Sequence, residues 1–317
     1  MVATVSVGIA MTDPGKTTDD LLRDADVAMY EAKVRGGGGV YRVFDEHSMG
    51  TRSADRIQIE ADLRKGLERG ELEVHYQPFY SLDGKQIVGA EALVRWRHPV
   101  NGLIAPMRFI PIAEETGLIL PVGRYVLEQA CAQVRSIRDR LGVEFPVSVN
   151  LSPRQFQENG LLSQVAAALD ACGLPSESLT FEITESTVME DLSGARDVMK
   201  KLNRLGVRLA IDDFGTGYSS LAYLQRLSVN KLKIDRSFVR DAPSSKSMTA
   251  IVRAIVDMGR AMALEVVAEG IETQAEREFL EAAQCSMGQG YLFARPMPAD
   301  RFEAFLLERT AVEDAAE

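Results

Sequence analysis

The chain has 317 residues, with 36 Lys and Arg, 46 Asp and Glu, and a formal net charge of −10 at pH 7. A hydrophobic fraction of 46% excludes disorder as the main state, and three widely spaced cysteines (Cys131, Cys172 and Cys285) exclude a disulfide scaffold and favour a reducing compartment. The acidic balance argues against a nucleic-acid polymer as partner, and no apolar run approaches the roughly 20 residues of a membrane span, so we expect a cytoplasmic location.

The first part of the chain, residues 1–46, predicts a strand, a helix and a second strand. The run ATVSVGIA alternates like a strand, LLRDADVAMYEAKVR has a helical period, and VYRVFDE is a further short strand. A turn at DPGK and the glycine run at 36–39 separate these elements. So short a segment cannot bury an independent core, so we interpret it as a small α/β piece of a truncated domain.

The second part, residues 47–317, predicts a TIM-type (β/α)8 barrel. An amphipathic helix, IQIEADLRKGLERG, precedes strand-like runs that alternate with longer helical runs. The strand candidates are 72–82, 86–96, 145–152, 178–184, 207–214, 230–235, 264–270 and 285–293. Eight such runs are typical of this barrel. The alternative is a doubly wound open sheet, but no glycine-rich dinucleotide turn follows the first strand.

The first strand of this barrel departs from the regular pattern. Only the segment SLDGK separates its run from the second run, which predicts a hairpin around Asp83 and Gly84. We therefore expect the first strand to be antiparallel to the second.

Polar residues stand where the predicted strands end. The carboxyl ends of barrel strands point into one shared mouth, so side chains from several strands meet there. A single acidic residue at such a place is as readily a helix cap or a solvated charge. For the whole set this explanation is poor, because clustered carboxylates repel when they are partly buried. The set is Glu91, Asn150, Glu182, Asp212, Asp213, Lys233, Asp235 and Glu269.

Divalent cations would relieve this repulsion. Oxygen ligands suit Mg²⁺ or Mn²⁺, and the three histidines lack the spacing of a zinc site. The adjacent Asp212 and Asp213 can ligate two ions, and paired ions activate a water for attack at phosphorus. Lys233 is either a structural ion-pair partner or a cation that orients the nucleophile.

Eight motifs in order resemble those of the EAL-domain family of cyclic di-GMP phosphodiesterases. The resemblance covers nearly everything from residue 53 to about residue 307. The motifs are Tyr76-Gln77-Pro78, Glu91-Ala92-Leu93-Val94-Arg95, Asn150-Leu151-Ser152, Glu182-Ile183-Thr184-Glu185, Asp212-Asp213-Phe214-Gly215-Thr216-Gly217, Lys233-Ile234-Asp235, Ala268-Glu269-Gly270-Ile271-Glu272-Thr273 and Gly288-Gln289-Gly290-Tyr291.

The resemblance implies a hydrolase that cleaves cyclic di-GMP to linear pGpG with two Mg²⁺ or Mn²⁺ ions. It implies metal ligands at Glu91, Asn150, Glu182, Asp212 and Asp213. It implies catalytic roles for Lys233, Glu269 and Glu91, with the identity of the general base left open. It implies substrate contacts at Gln77, Arg95, Asp235, Glu272 and Gln289.

The resemblance also implies a homodimer, because the family couples dimerisation to metal occupancy through the loop DFGTGYSSL, residues 213–221. Glu185 matches the carboxylate that anchors this loop. Residues 1–46 resemble the C-terminal end of a GGDEF (diguanylate cyclase) domain without its catalytic signature, which implies no cyclase activity. A longer protein is then expected, with GGDEF and sensory domains upstream that can attach it to a membrane.

Two other functions remain to be weighed. Some family members are cyclic di-GMP receptors that have lost metal ligands, but no matched position is substituted here. A different metal-dependent barrel enzyme, such as an enolase-like proton abstractor, is disfavoured by the eight ordered motifs.

Overall fold

A computed structural model of the chain describes residues 5–12, 16–36, 40–44, 51–82, 86–142, 146–216 and 224–314. The chain divides into two compact units, Met1–Glu68 and Arg69–Glu317. The helix that we expected at the start of the barrel domain therefore falls in the first unit. The expected boundary between the GGDEF-like segment and the barrel domain, between residues 46 and 47, stays a prediction.

The first unit contains a strand–helix–strand motif, as the sequence predicted. Strands β1 (Val7–Ile9) and β2 (Tyr41–Val43) pair in parallel, and helix α1 (Thr18–Gly36) connects them. Helix α1 packs closely on β1, because a Cβ on Gly8 would lie 1.9 Å from the carbonyl oxygen of Ala25. Helix α2 (Thr51–Glu68) completes the unit. The turns predicted at DPGK and at GGGG lie largely outside the described residues.

The second unit alternates strands and helices. Its strands are β3 (Leu72–Ser81), β4 (Ile87–His98), β5 (Gly102–Ile104), β6 (Val147–Asn150), β7 (Leu179–Thr184), β8 (Arg208–Phe214), β9 (Lys231–Ile234), β10 (Glu265–Ala268), β11 (Met287–Gly288) and β12 (Met297–Pro298). Its helices are α3 (Pro106–Thr116), α4 (Ile119–Leu141), α5 (Pro153–Phe156), α6 (Leu161–Cys172), α7 (Glu185–Glu190), α8 (Leu192–Arg204), α9 (Arg236–Asp241), α10 (Lys246–Ala261), α11 (Gln274–Ala282) and α12 (Ala299–Asp314). None of the helices in the described part of the chain combines the length and apolar character needed to cross a membrane.

Eight of these strands close into a barrel in the order β3-β4-β6-β7-β8-β9-β10-β11 and back to β3. Strand β3 is antiparallel to both of its neighbours, pairing Gln77 with Glu91 of β4 and Ser81 with Met287 of β11. The other neighbours in the ring are parallel. The TIM-type barrel and its antiparallel first strand are thus confirmed, and the open sheet is excluded.

The last barrel strand is much shorter than predicted. Only Met287–Gly288 of the run 285–293 is a strand. The chain then turns to the segment after β10, where the Leu292 amide donates to the Ile271 carbonyl at 3.0 Å. A Cβ on Gly290 would lie 2.1 Å from that carbonyl oxygen, so this approach requires glycine.

The strand register brings the strand-end residues together. Asn150 pairs with Glu182, and Thr184 pairs with Asp212. On the other side of the ring, Lys233 pairs with Val267, two residues before Glu269. The polar residues that the sequence predicted at the strand ends therefore lie close together in the fold.

We expect Phe181→Ala to lower the free energy of unfolding by about 3–5 kcal/mol, because the side chain is large and 2% exposed in β7. Val100→Ala, at a position 85% exposed, should change it by less than about 0.5 kcal/mol. Urea unfolding followed by tryptophan fluorescence measures both values. Equal effects of the two substitutions would contradict this packing.

Candidate active site

Lys233 lies at the centre of a buried cluster of carboxylates at the barrel mouth. Its side chain is 1% exposed, and its Nζ lies 2.6 Å from Glu269 Oε1, 3.3 Å from Asp212 Oδ1 and 3.7 Å from Glu91 Oε2. It also donates a hydrogen bond to Glu182. Carboxylates from β4, β7 and β8 and from the residue after β10 thus surround one cation that projects from β9, and Glu91 lies inside β4 rather than at its end.

Amide side chains fix the orientation of Glu91. Asn150 Nδ2 donates to Glu91 Oε1 at 2.7 Å, and Gln289 Nε2 donates to Glu91 Oε2 at 2.9 Å. Gln289 also donates to Gln77 Oε1 at 3.2 Å, and Gln77 donates to the Ala294 carbonyl at 3.0 Å. This network links the antiparallel strand β3 to the cluster.

The cluster holds Lys233 and Glu91 in their charged forms. Burial lowers the pKa of Lys233, but the surrounding carboxylates raise it more, to well above its ordinary value. Burial raises the pKa of Glu91, but the charge of Lys233 and the hydrogen bonds from Gln289 and Asn150 bring it below its ordinary value. Glu91 therefore stays ionised.

The other carboxylates are less favoured as anions. Burial raises the pKa of Glu182 well above its ordinary value despite Lys233, and the charges of Glu91 and Asp212 raise it further. Burial likewise raises the pKa of Glu269 to about 8, again against the effect of Lys233. One lysine is therefore too little positive charge to keep the whole cluster ionised.

The other oxygen atoms of the cluster are suited to bind a divalent cation. Oxygen atoms of Asp212, Asp213 and Glu269 lie within 4.8 Å of one another. Glu182 Oε1 is buried and has no hydrogen-bond partner among the described residues. Carboxylate and amide oxygens are the ligands that Mg²⁺ and Mn²⁺ prefer.

A strained backbone brings Asp212 and Asp213 to the same side of the sheet. Successive residues of a strand normally point to opposite faces. Asp213 has a φ of 54°, in the left-handed region that non-glycine residues rarely adopt, and its amide donates to Asp212 Oδ1 at 3.0 Å. The pairing of β8 with β9 shifts register between Ile211 and Phe214. Such strain is typical of functional sites.

The segment after Asp213 is attached to Glu185. The Gly215 amide donates to Glu185 Oε2 at 3.0 Å, and Thr216 Oγ1 donates to the Asp213 carbonyl at 2.8 Å. Gly215 has a φ of 97°, and a Cβ there would meet the Phe238 ring at 3.0 Å. Residues 217–221 of the predicted loop 213–221 lie outside the described residues, so the role of Glu185 as its anchor stays a prediction.

A cavity of about 230 Å³ opens beside the cluster and contains most of the predicted site residues. The predicted site residues that line this cavity are Gln77, Glu91, Asp212, Lys233, Glu269, Glu272 and Gln289. The sequence missed Arg236 and Tyr291 as lining residues. Arg236 directly follows the motif Lys233-Ile234-Asp235, and Tyr291 ends the motif Gly288-Gln289-Gly290-Tyr291, so their place in the chain was the available signal.

Two predicted substrate residues have other contacts. Asp235 caps helix α9, because its Oδ1 accepts from the Ser237 amide at 3.0 Å. Arg95 Nη1 donates to the Val94 carbonyl at 2.8 Å, and burial lowers the pKa of Arg95. Neither residue lines the 230 Å³ cavity, and their substrate roles stay predictions.

A second cavity, of about 280 Å³, is mainly apolar and lies beside the first, with Leu93 lining both. Asn150 and Glu182 of the cluster reach its wall. Glu114, from α3, is a further carboxylate of its lining, and burial raises the pKa of Glu114. The mouth thus combines a charged and an apolar compartment.

Comparison with known proteins matches residues 60–296 to the EAL domain. The chain is 44% identical over 300 residues to the bifunctional diguanylate cyclase/cyclic di-GMP phosphodiesterase MucR of Pseudomonas aeruginosa, covering 94% of this chain and 44% of MucR. It is 39% identical over 307 residues to the cyclic di-GMP phosphodiesterase NbdA of the same organism, covering 96% of this chain and 39% of NbdA. The chain thus spans less than half the length of these two relatives.

A solved structure gives the same assignment. The PaMucR phosphodiesterase in complex with c-di-GMP is 46% identical, with a TM-score of 0.75, and the match covers 77% of this chain and 99% of that chain. The order of the strands, the cluster around Lys233 and these similarities agree. The chain belongs to the EAL-domain family.

Proposed function

We propose that this chain hydrolyses cyclic di-GMP to linear pGpG. The observation that carries the proposal is the carboxylate cluster around Lys233, which lies in a cavity large enough to admit a phosphodiester. The names of the relatives MucR and NbdA support the choice of substrate. The c-di-GMP complex of PaMucR phosphodiesterase supports it further.

The reaction would depend on two divalent cations, Mg²⁺ or Mn²⁺, held by Glu91, Asn150, Glu182, Asp212 and Asp213. When bound, such ions supply positive charge that activates a water and stabilises an in-line displacement at phosphorus. The buried, unpartnered Glu182 Oε1 supports this role. The left-handed backbone of Asp213 supports it as well, because it brings both aspartates within reach of one site.

Lys233 and Glu269 would position the attacking water and take its proton. The carboxylates raise the pKa of Lys233, so it acts as a hydrogen-bond donor. Glu269 lies 2.6 Å from Lys233 Nζ, lines the 230 Å³ cavity, and is 20% exposed at its side chain. A carboxylate with access to both Lys233 and the cavity is the better proton acceptor of the pair.

The two neighbouring cavities match the two chemistries of the substrate. The charged cavity suits a phosphodiester, and the apolar cavity suits a guanine base. Glu114 in the apolar cavity can accept hydrogen bonds from the N–H groups of guanine. Gln77, Glu272 and Gln289 line the charged cavity, where they would contact the sugar–phosphate ring.

A homodimer coupled to the segment after Asp213, and a cytoplasmic location, belong to the same proposal. The contact of Glu185 with the Gly215 amide supports the first. The free cysteines, of which Cys131 and Cys285 are buried, support a reducing compartment.

We expect the chain to convert cyclic di-GMP to linear pGpG in the presence of Mg²⁺ or Mn²⁺ and to form no product in excess chelator. Glu91→Gln should lower turnover by at least about 100-fold, because it removes a charge from the cluster. The surface substitution Glu128→Gln on helix α4 is the matched control and should keep full activity. Chromatographic separation of the nucleotides measures the product. Tight binding of cyclic di-GMP without product would instead make the chain a receptor.

A second test concerns Glu185. Glu185→Ala removes the acceptor of the Gly215 amide and should weaken Mn²⁺ binding and turnover, each by about tenfold. Titration of Mn²⁺ followed by electron paramagnetic resonance gives the affinity independently of activity. Glu190→Ala, at an exposed position of the same helix α7, serves as the control. Unchanged affinity and turnover in Glu185→Ala would rule out the anchoring role.

A further inference from the structure

Arg236 is a cation of the charged cavity that the catalytic roles above do not use. It is the first residue of α9, and it lines the cavity together with Glu269 and Glu272. Its position is fixed on two sides. Asp235 caps the helix, and a Cβ on Gly270 would lie 2.4 Å from Arg236 Cβ. With a φ of 67°, Gly270 lets the stem of Arg236 lie directly beside the end of β10.

The guanidinium of Arg236 has no ion-pair partner within the described part of the chain, although carboxylates line the same cavity. Lys233, the other cation there, contacts four carboxylates. Arg236 is exposed at the cavity and so available to a bound molecule. A guanidinium presents a planar fork of donors that matches a phosphate.

Two other arginines near the mouth are already engaged. The guanidinium of Arg295 lies 4.2 Å from the centroid of the Tyr291 ring. Arg95 donates to the Val94 carbonyl at 2.8 Å and does not line the charged cavity. Arg236 is therefore the arginine of this region that combines a place in the cavity with a guanidinium unpaired among the described residues.

A cyclic dinucleotide has two phosphodiesters on opposite sides of its ring. When one of them lies at the carboxylate cluster for cleavage, the other carries a negative charge that needs its own partner. We propose that Arg236 binds this second, non-scissile phosphate and thereby makes the site select cyclic dinucleotides over single phosphodiesters. This inference rests on the proposed function, and it adds a residue that determines substrate specificity.

The test compares Arg236→Gln and Arg236→Lys with Arg240→Gln, which removes a charge from an exposed position on the same helix. The affinity for cyclic di-GMP is measured by calorimetry with Ca²⁺ in place of Mn²⁺. Turnover with Mn²⁺ is measured for cyclic di-GMP and for bis(p-nitrophenyl) phosphate, which has one phosphodiester.

We expect Arg236→Gln to raise the Kd for cyclic di-GMP about tenfold, in line with the loss of a hydrogen bond to a charged group. Arg236→Lys should lose less, and Arg240→Gln should stay within about twofold of the parent. The kcat/KM of Arg236→Gln should fall about tenfold more for cyclic di-GMP than for bis(p-nitrophenyl) phosphate.

An unchanged Kd in Arg236→Gln, or an equal fall of kcat/KM for both substrates, would overturn the inference while leaving the proposed hydrolysis intact. A parent that binds cyclic di-GMP without turnover would sink the proposed hydrolysis instead, and the Kd values would still decide the role of Arg236. A parent that binds no cyclic di-GMP would contradict both.

Discussion

The structure of the barrel mouth depends on a charge imbalance that is built into its centre. Among the described residues, Lys233, with a 1% exposed side chain, is the one cation that contacts Glu91, Glu182, Asp212 and Glu269. Burying several carboxylates with a single positive partner is costly, and the raised pKa values of Glu182 and Glu269 express that cost. Binding divalent cations would relieve it. The buried carboxylates that are unfavourable without metal ions are therefore suited to bind them for metal-dependent chemistry.

The closed barrel makes this arrangement possible, because each member of the cluster comes from a different strand. Strand β3 contributes through its antiparallel orientation, which places Gln77 opposite Glu91 and within 3.2 Å of Gln289. A regular parallel strand would direct its carboxyl end to this mouth, whereas β3 passes through it in the opposite sense. The hydrogen bonds from Gln289 to Gln77 and to Glu91 thus link β3 to the carboxylate cluster at the mouth.

The sequence predicted the parts of the site that depend on strand order and strand ends. Glu91, Asn150, Glu182, Asp212, Lys233 and Glu269 could be grouped because parallel strands bring their carboxyl ends to one edge. The sequence could not predict the left-handed backbone of Asp213, which accompanies the register shift between β8 and β9. Nor could it predict that the guanidinium of Arg236 has no ion-pair partner among the described residues, or that an apolar cavity lies beside Leu93. Both features follow from how segments far apart in the chain are placed in the fold.

The most direct test of the central claim is a crystal structure with Mn²⁺, with the ions located by anomalous scattering. We predict two peaks about 3.5–4 Å apart at the cluster, with Asp212 and Asp213 among the ligands. Glu182 Oε1, which lacks a hydrogen-bond partner among the described residues, should ligate the ion nearer Asn150. Absence of peaks at the cluster, or a single ion bound away from Asp212 and Asp213, would contradict the claim that this charge imbalance is a site for two divalent cations.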